Sequence, residues 1–192
     1  VVAQRPLKLR PRVLAQALFF AGGAYFYMLS VDELTAGLAT VIFYSYPAVV
    51  AVLSVVVLHE RLSARTVVSL VLAMVGVVFI SGLAAPGELR LSPLGIAYGV
   101  AACVSFGVYV VLGQKTADKE GQLTLTFTMS AVGSAVMLAL FPGQTAFLLH
   151  MTALQWALGL SIALFCTVLP VLLLLAAIKR IGAQKASLVS IL

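Results

Sequence analysis

Charge is scarce in this sequence. Only 9% of its 192 residues are Asp, Glu, Lys or Arg, against about 25% in soluble domains, so the chain cannot cover its own surface in water. Cysteine, histidine and tryptophan are rarer still, at two, two and one residues. Cys103 and Cys166 lie in apolar runs away from any His or acid. They read as small packing residues, not as a disulfide or a metal pair. His59-Glu60 would open a zinc-protease helix only if a second His stood four positions after the first, and that position is Ser63. His150 stands alone. A nucleotide-binding loop, a metal cluster and a nucleophile–base pair are all missing, so nothing points to an enzyme, an ATP-driven pump or a cofactor. Basic residues outnumber acidic ones 12 to 6. Without a basic cluster interleaved with aromatics, that excess reads as loop charge and not as a nucleic-acid surface.

What the sequence does have is apolar length. Hydrophobic residues make up 62% of it, and the mean hydropathy is +1.15. Six segments of membrane-spanning length can be drawn, at 13–31, 34–58, 66–84, 92–113, 123–141 and 154–178, and a seventh opens near 183. A hydrocarbon core of ~30 Å needs about 20 helical residues. The segments do not alternate in the manner of barrel strands. The expected class is therefore all-α, a polytopic transmembrane helix bundle, with the lipid bilayer as its surroundings.

The loops orient the bundle. If the first loop, 1–12, is cytoplasmic, then 59–65, 114–122 and 179–185 share its side. Those four loops hold Arg5, Lys8, Arg10, Arg12, Arg61, Arg65, Lys115, Lys119, Lys179, Arg180 and Lys185, and the other side holds only Arg90. Cytoplasmic loops favour Lys and Arg, so this asymmetry supports both the orientation and the helix count. The expected location is the cell (inner or plasma) membrane. The opening "VVAQRPLKLRPR" reads as a loop already under way and the closing "ASLVSIL" as a segment just beginning. An internal piece of a longer protein is the expectation.

A faint internal repeat appears when the chain is slid so that Asp32 meets Lys179. Ala36 then meets Ala183, Ala39 meets Ala186 and Thr40 meets Ser187. Asp32-Glu33 faces Lys179-Arg180 at the same repeat position, an acidic loop against a basic one. Two repeats inserted with opposite topology would look this way.

"TAGLATVIFYSYPAVVAVLSVVVLHERLS" followed by "VLAMVGVVFISG", together with "AAIKRIGAQKASLVSIL", resembles the drug/metabolite transporters of the EamA type. The resemblance covers nearly the whole chain. It implies ten helices in two inverted five-helix repeats, of which this chain would hold helices 3 to 8 and the start of 9. Residues 1–87 would then be the C-terminal part of the first repeat (helices 3–5). Residues 88–192 would be the N-terminal part of the second (helices 6–8 and the start of 9). The resemblance implies export of amino acids, other metabolites or drugs.

The candidate site residues lie on two stripes. Ala36, Thr40, Tyr44, Pro47, Ala51 and Ser54 share one face of the second segment at helical spacing. Pro47 removes a backbone hydrogen bond, which a membrane helix tolerates where neighbours or a wet cavity satisfy the freed carbonyl. The stripe is either a cavity wall, with Thr40 and Tyr44 offering hydroxyls, or a helix-packing seam. The fourth segment carries Tyr98, Ala102, Ser105 and Tyr109. Ser105 and Tyr109 are its deeper, cavity-facing candidates, whereas Tyr98, Tyr27 and Trp156 are expected as interfacial anchors. Ser69, Ala73 and Gly76, and likewise Ser130, Gly133 and Ser134, are expected as packing seams, and Pro170 and Gly23 as kinks or hinges.

Glu60 and Arg61, like Lys179 and Arg180, read as charges that end a span, with gating as the other reading for the first pair. No Asp, Glu, Lys or Arg lies within the six spans, so nothing here supports a proton relay. The expected activity is secondary transport of a small organic solute, with export as the expected direction and alternating access as the mechanism. A non-transporting scaffold or regulatory subunit is the alternative. The oligomeric state and the coupling ion are not encoded in these patterns.

Overall fold

Uninterrupted apolar runs closed by polar caps should build helices, and they do. The computed structural model describes residues 11–80, 91–117, 121–140, 143 and 150–190, and over these the protein is an all-α polytopic bundle. Helix α1 (Pro11–Glu33) starts on a proline and ends on an acidic pair. A first-turn proline has its φ preset and no needed N–H to lose. Helix α2 (Ala36–Phe43) is capped by Thr35, whose hydroxyl accepts from the Leu38 N–H. Helix α3 (Tyr46–Leu58) follows after a two-residue turn. Ser63 accepts from the Thr66 N–H to open α4 (Ala64–Ile80). Ser92 likewise accepts from Gly95 to open α5 (Pro93–Ala117).

Helix α6 (Gln122–Leu140) comes next. A capping box between Thr152 and Gln155 starts α7 (Ala153–Ile162), which runs through a π-helical turn (Ala163–Val168) into α8 (Leu169–Ile181). The short α9 (Ala183–Val189) ends the described chain. Five apolar helical lengths are long enough to cross a membrane: Pro11–Glu33, Ala36–Leu58, Pro93–Thr116, Gln122–Leu140 and Ala153–Ile181. The third expected span, 66–84, is represented by the shorter α4, and its expected end at 81–84 lies outside the described residues. So do Arg5, Lys8, Arg10, Arg90 and Lys119.

The second span departs from a single continuous helix. It breaks at Tyr44–Ser45, and Pro47 falls in the first turn of α3, where its missing N–H leaves no hydrogen bond unmade. The break is satisfied locally. The Tyr44 N–H reaches the Thr40 carbonyl at 2.8 Å, and the Ser45 hydroxyl donates to the Ile42 carbonyl.

Helix α5 is the centre of the bundle. Of its most apolar window 44% is buried, against 17% for Ala153–Ile181, which marks the first as surrounded by the other described helices and the second as largely exposed. Small residues let the neighbours close on it. A Cβ on Gly99 would stand 2.8 Å from Ile42 Cγ2, and one on Gly107 would stand 2.7 Å from Val49 Cγ1. Close approach of this kind is what small residues supply in membrane bundles. Outward, α4 and α7 present Val68, Leu72, Phe79, Leu158, Leu160 and Phe165 as exposed apolar side chains.

The two expected seams fare differently. Gly133 lies 4.0 Å, measured from a built Cβ, from Ala21 of α1, whereas nothing stands within 4 Å of Gly76 and Ser69 is exposed. The Ser69–Ala73–Gly76 face is therefore not a packed seam among the described residues. Gly23 makes no kink, since α1 is continuous through it; its bare Cα admits the α5 backbone at Ala102 and Phe106. Pro170 does coincide with a distortion. The π turn ends at Val168, two residues before it, and the Leu169 N–H reaches back five residues to the Leu164 carbonyl.

The ends of the helices sort as the loop alternation requires. Gln16 meets Thr116, Glu60 meets Gln114, and Gln114 meets Ala183. The start of α1, the 59–63 loop, the end of α5 and the α8–α9 junction thus share one end. Glu33 meets Ser92 at the other.

Candidate functional site

The broken span lies against α1 and α5, and an aromatic cluster fills the junction. Phe43 is the hub of its outer part, with ring centroids 5.0 Å from Tyr27, 5.8 Å from Tyr44 and 5.2 Å from Phe106. Phe106 continues the chain inward, 4.8 Å from Tyr46 and 5.0 Å from Tyr109, and Phe20 of α1 lies tilted against Tyr109 at 5.2 Å. Tilted and edge-on pairs at these separations each add about 0.5–1.5 kcal/mol beyond their buried area. The cluster therefore fixes the break in place, and α1, α2, α3 and α5 all contribute to it.

Hydroxyls line this aromatic path. Thr40 donates to the Ala36 carbonyl at 2.7 Å, and its oxygen lies 3.1 Å from the Tyr27 hydroxyl. Tyr27 thus turns inward, to a hydroxyl on the broken span, where a lipid-interface anchor had been expected. Ser45 shares a hydrogen bond with the Cys103 thiol at 3.3 Å. The Tyr46 hydroxyl meets that of Ser190 and lies 3.4 Å from the Ser187 carbonyl, which ties α3 to α9. Tyr109 is fully buried, and its hydroxyl has no hydrogen-bond partner. An orphaned buried hydroxyl costs about 1–3 kcal/mol.

The expected site residues are only partly brought together. Tyr44 and Tyr109 join one aromatic cluster through Phe43 and Phe106, and Thr40 reaches it through Tyr27. Ser105 is half-buried and faces α1, its Oγ 3.9 Å from where a Cβ of Gly22 would stand. Pro47, Ala51 and Ser54 are buried, so the lower half of the stripe is a packed seam, while Thr40 and Tyr44 above it stay half-buried. Tyr46 was not on either stripe. The break turns it inward, and a continuous helix gives no sign of that.

A second polar group sits at the shared end. Glu60 Oε1 accepts from Gln114 Nε2 at 2.7 Å, and Gln114 Oε1 accepts from the Ala183 N–H at 2.6 Å. The buried Gln16 accepts from the Thr116 hydroxyl at 2.6 Å. Arg61, Lys179 and Arg180 are exposed around this group. Among the described residues no three of His, Cys, Asp and Glu gather as metal ligands would.

A broken span buried against a central helix, in a bundle with an apolar exterior, is an architecture of membrane transporters. The sequence model of the EamA-like transporter family matches residues 3–82 and again residues 93–192. The chain belongs to the EamA-like transporter family. It is 29% identical over 134 residues to an uncharacterized transporter of Archaeoglobus fulgidus, a match over 69% of this chain and 46% of that protein. It is 28% identical over 175 residues to the threonine/homoserine exporter RhtA of Salmonella typhimurium, over 88% of this chain and 54% of the exporter. The chain thus spans about half the length of the curated relatives it matches. A solved crystal structure shares the fold, with a TM-score of 0.69 at 16% identity, over 94% of this chain and 74% of that one.

Proposed function

We propose that this EamA-family chain belongs to a secondary transporter that exports a small polar metabolite, such as an amino acid, by alternating access. One observation carries the reading. The second span is broken at Tyr44–Ser45, where a turn faces α5 at the Cys103 thiol, within a cluster of tyrosine and serine hydroxyls. Non-helical backbone at membrane depth is tolerated where protein or a water-lined cavity satisfies it, and transporters place their sites at such breaks. Thr40, Tyr44, Ser105 and Tyr109, with Tyr46, supply the walls, and the packed seam that begins at Pro47 closes the site below. Tyrosine faces give apolar contact and their hydroxyls orient a polar solute.

In this proposal the tandem family matches at 3–82 and 93–192 are parts of two repeats of opposite topology that rock about the break. The end carrying Arg61, Lys115, Lys179 and Arg180 faces the cytoplasm. The name of the Salmonella relative, an exporter of threonine and homoserine, supports the outward direction and the amino-acid class. The test is flux in proteoliposomes holding the full-length protein, with threonine, homoserine and a broad metabolite panel as solutes. Saturable movement of one solute class supports the proposal. Absence of flux across the panel defeats it and favours a scaffold built on the same bundle.

A further inference from the structure

The Glu60–Gln114–Ala183 group lies at the end of the bundle beyond the aromatic cluster, five residues past Tyr109 on α5, and the transport reading does not use it. Three features set it apart. It joins three segments: the loop after α3, the last turns of α5, and the junction between α8 and α9. The Gln114 amide is fully oriented by its partners, with its nitrogen donating to Glu60 and its oxygen accepting from Ala183. Lastly, the left-handed backbone of the described residues is concentrated here. His59 has φ 57° and Gly182 has φ 82°, each immediately before a residue of the group.

These backbone turns do the aiming. The N–H groups of His59 and Glu60 both return to the Ser54 carbonyl, so the helix stops in a left-handed cap and Glu60 leaves the helix axis toward α5. A non-glycine residue in that conformation is uncommon, and such conformations persist where the surroundings hold them, often at switch regions. Gly182 makes the second turn, and a Cβ there would stand 3.7 Å from Gln114 Oε1 and 4.0 Å from Glu60 Oε1. The peptide after Gly182 presents its N–H to Gln114. Glu60 comes from the segment matched by the first family repeat, and Gln114 and Ala183 from that matched by the second.

We infer that Glu60, Gln114 and the Gly182–Ala183 peptide form a latch between the two repeats, closing this end of the bundle and parting when it opens. The inference rests on the transport reading for its purpose but not for its geometry. A bond pair of a few side chains suits a gate, because it is strong enough to bias one state and small enough to be broken in each cycle. The partners are specific in polarity. Glu60 can only accept, the Ala183 N–H can only donate, and Gln114 serves both.

The test uses the full-length protein in lipid bilayers, with Cys103, Cys166 and any other native cysteines replaced by Ser. Spin labels go on Arg61→Cys and Arg180→Cys, both exposed beside the latch. The distance distribution between them is measured in three backgrounds. Gln114→Glu sets two carboxylates against each other and removes the donor. It is expected to move the distribution to longer distances, with the open-to-closed ratio raised about tenfold, the factor that ~1.4 kcal/mol of lost coupling gives. The swap Glu60→Gln with Gln114→Glu restores one donor and one acceptor in reversed order and keeps an acceptor for the Ala183 N–H. It is expected to return the distribution to that of the parent. Unchanged distances in Gln114→Glu overturn the latch, and so does a shift that the swap fails to reverse. The distances need no solute, so a protein that shows the shift and rescue but no flux keeps the latch and loses the transport reading.

Discussion

Gly107 of α5 and Val49 of α3 meet so closely that a Cβ on the glycine would stand 2.7 Å from Val49 Cγ1. That contact seats the broken span on the central helix. Gly107→Leu is expected to destabilise the fold by about 1–3 kcal/mol, the usual cost of overpacking, read as a lower melting temperature in detergent. Gly76→Leu on α4, where nothing stands within 4 Å, should melt with the parent.

Tyr109 separates packing from binding. Its hydroxyl is buried and unpartnered, so Tyr109→Phe should leave stability unchanged or raise it by about 1 kcal/mol. If the hydroxyl serves the solute, the same variant loses flux. A protein that is no less stable yet transports more slowly is the expected result, and parental flux would return Tyr109 to the packing core.

Tyr46 should behave in the opposite way. Its hydroxyl holds α9 through Ser190 and Ser187, so Tyr46→Phe is expected to cost about 0.5–1.5 kcal/mol. Proteolysis or amide exchange localised to 183–189 would report the loosened helix.

Tyr44→Ala and Ser105→Ala should change the half-saturation constant or turnover of the full-length transporter while the protein stays folded, with Tyr44→Ala melting lower by the ~0.5–1.5 kcal/mol of its lost ring contact with Phe43. Both side chains are half-buried. Unaltered kinetics in both variants would assign them to helix packing.

Sidedness is open to direct labelling. Single cysteines at Arg61 and Lys179 should react with a membrane-impermeant thiol reagent only after the cytoplasmic face is exposed. A cysteine at Glu33 should react from outside, because Glu33 pairs with Ser92 at the opposite end. Labelling of Arg61→Cys in sealed cells would reverse the orientation.

Much of this architecture was legible because apolar length and loop charge are one-dimensional signals. The spans at 13–31, 92–113 and 123–141 meet helices Pro11–Glu33, Pro93–Ala117 and Gln122–Leu140, since a helix in lipid has few other ways to satisfy its backbone. Pro47 announced a disturbance in the second span, but the helix broke ahead of it, at Tyr44–Ser45. A proline marks where a hydrogen bond is missing, and the neighbours decide on which side the helix restarts. Tyr46 and Tyr27 were misplaced or passed over for that reason: their inward direction depends on the break and on Phe43. Gln114 gave no signal at all, because one amide near a helix end looks like solvent-facing polarity until Glu60 and Ala183 are placed beside it.

The wide turn at Ala163–Val168 has a bearing on how this stretch tolerates change in length. A π turn holds one residue more than the α turn it replaces, so it behaves as an insertion absorbed within a helix. Removing a single residue from 163–168 should let the stretch close into ordinary α-helix, with the flanks Ala153–Ile162 and Leu169–Ile181 keeping their own faces. A deletion of the same size within α5, where Gly99 and Gly107 are each in register with a neighbour, would rotate every contact beyond it by about 100°. One of these two membrane helices has slack in its chain, and the other has none.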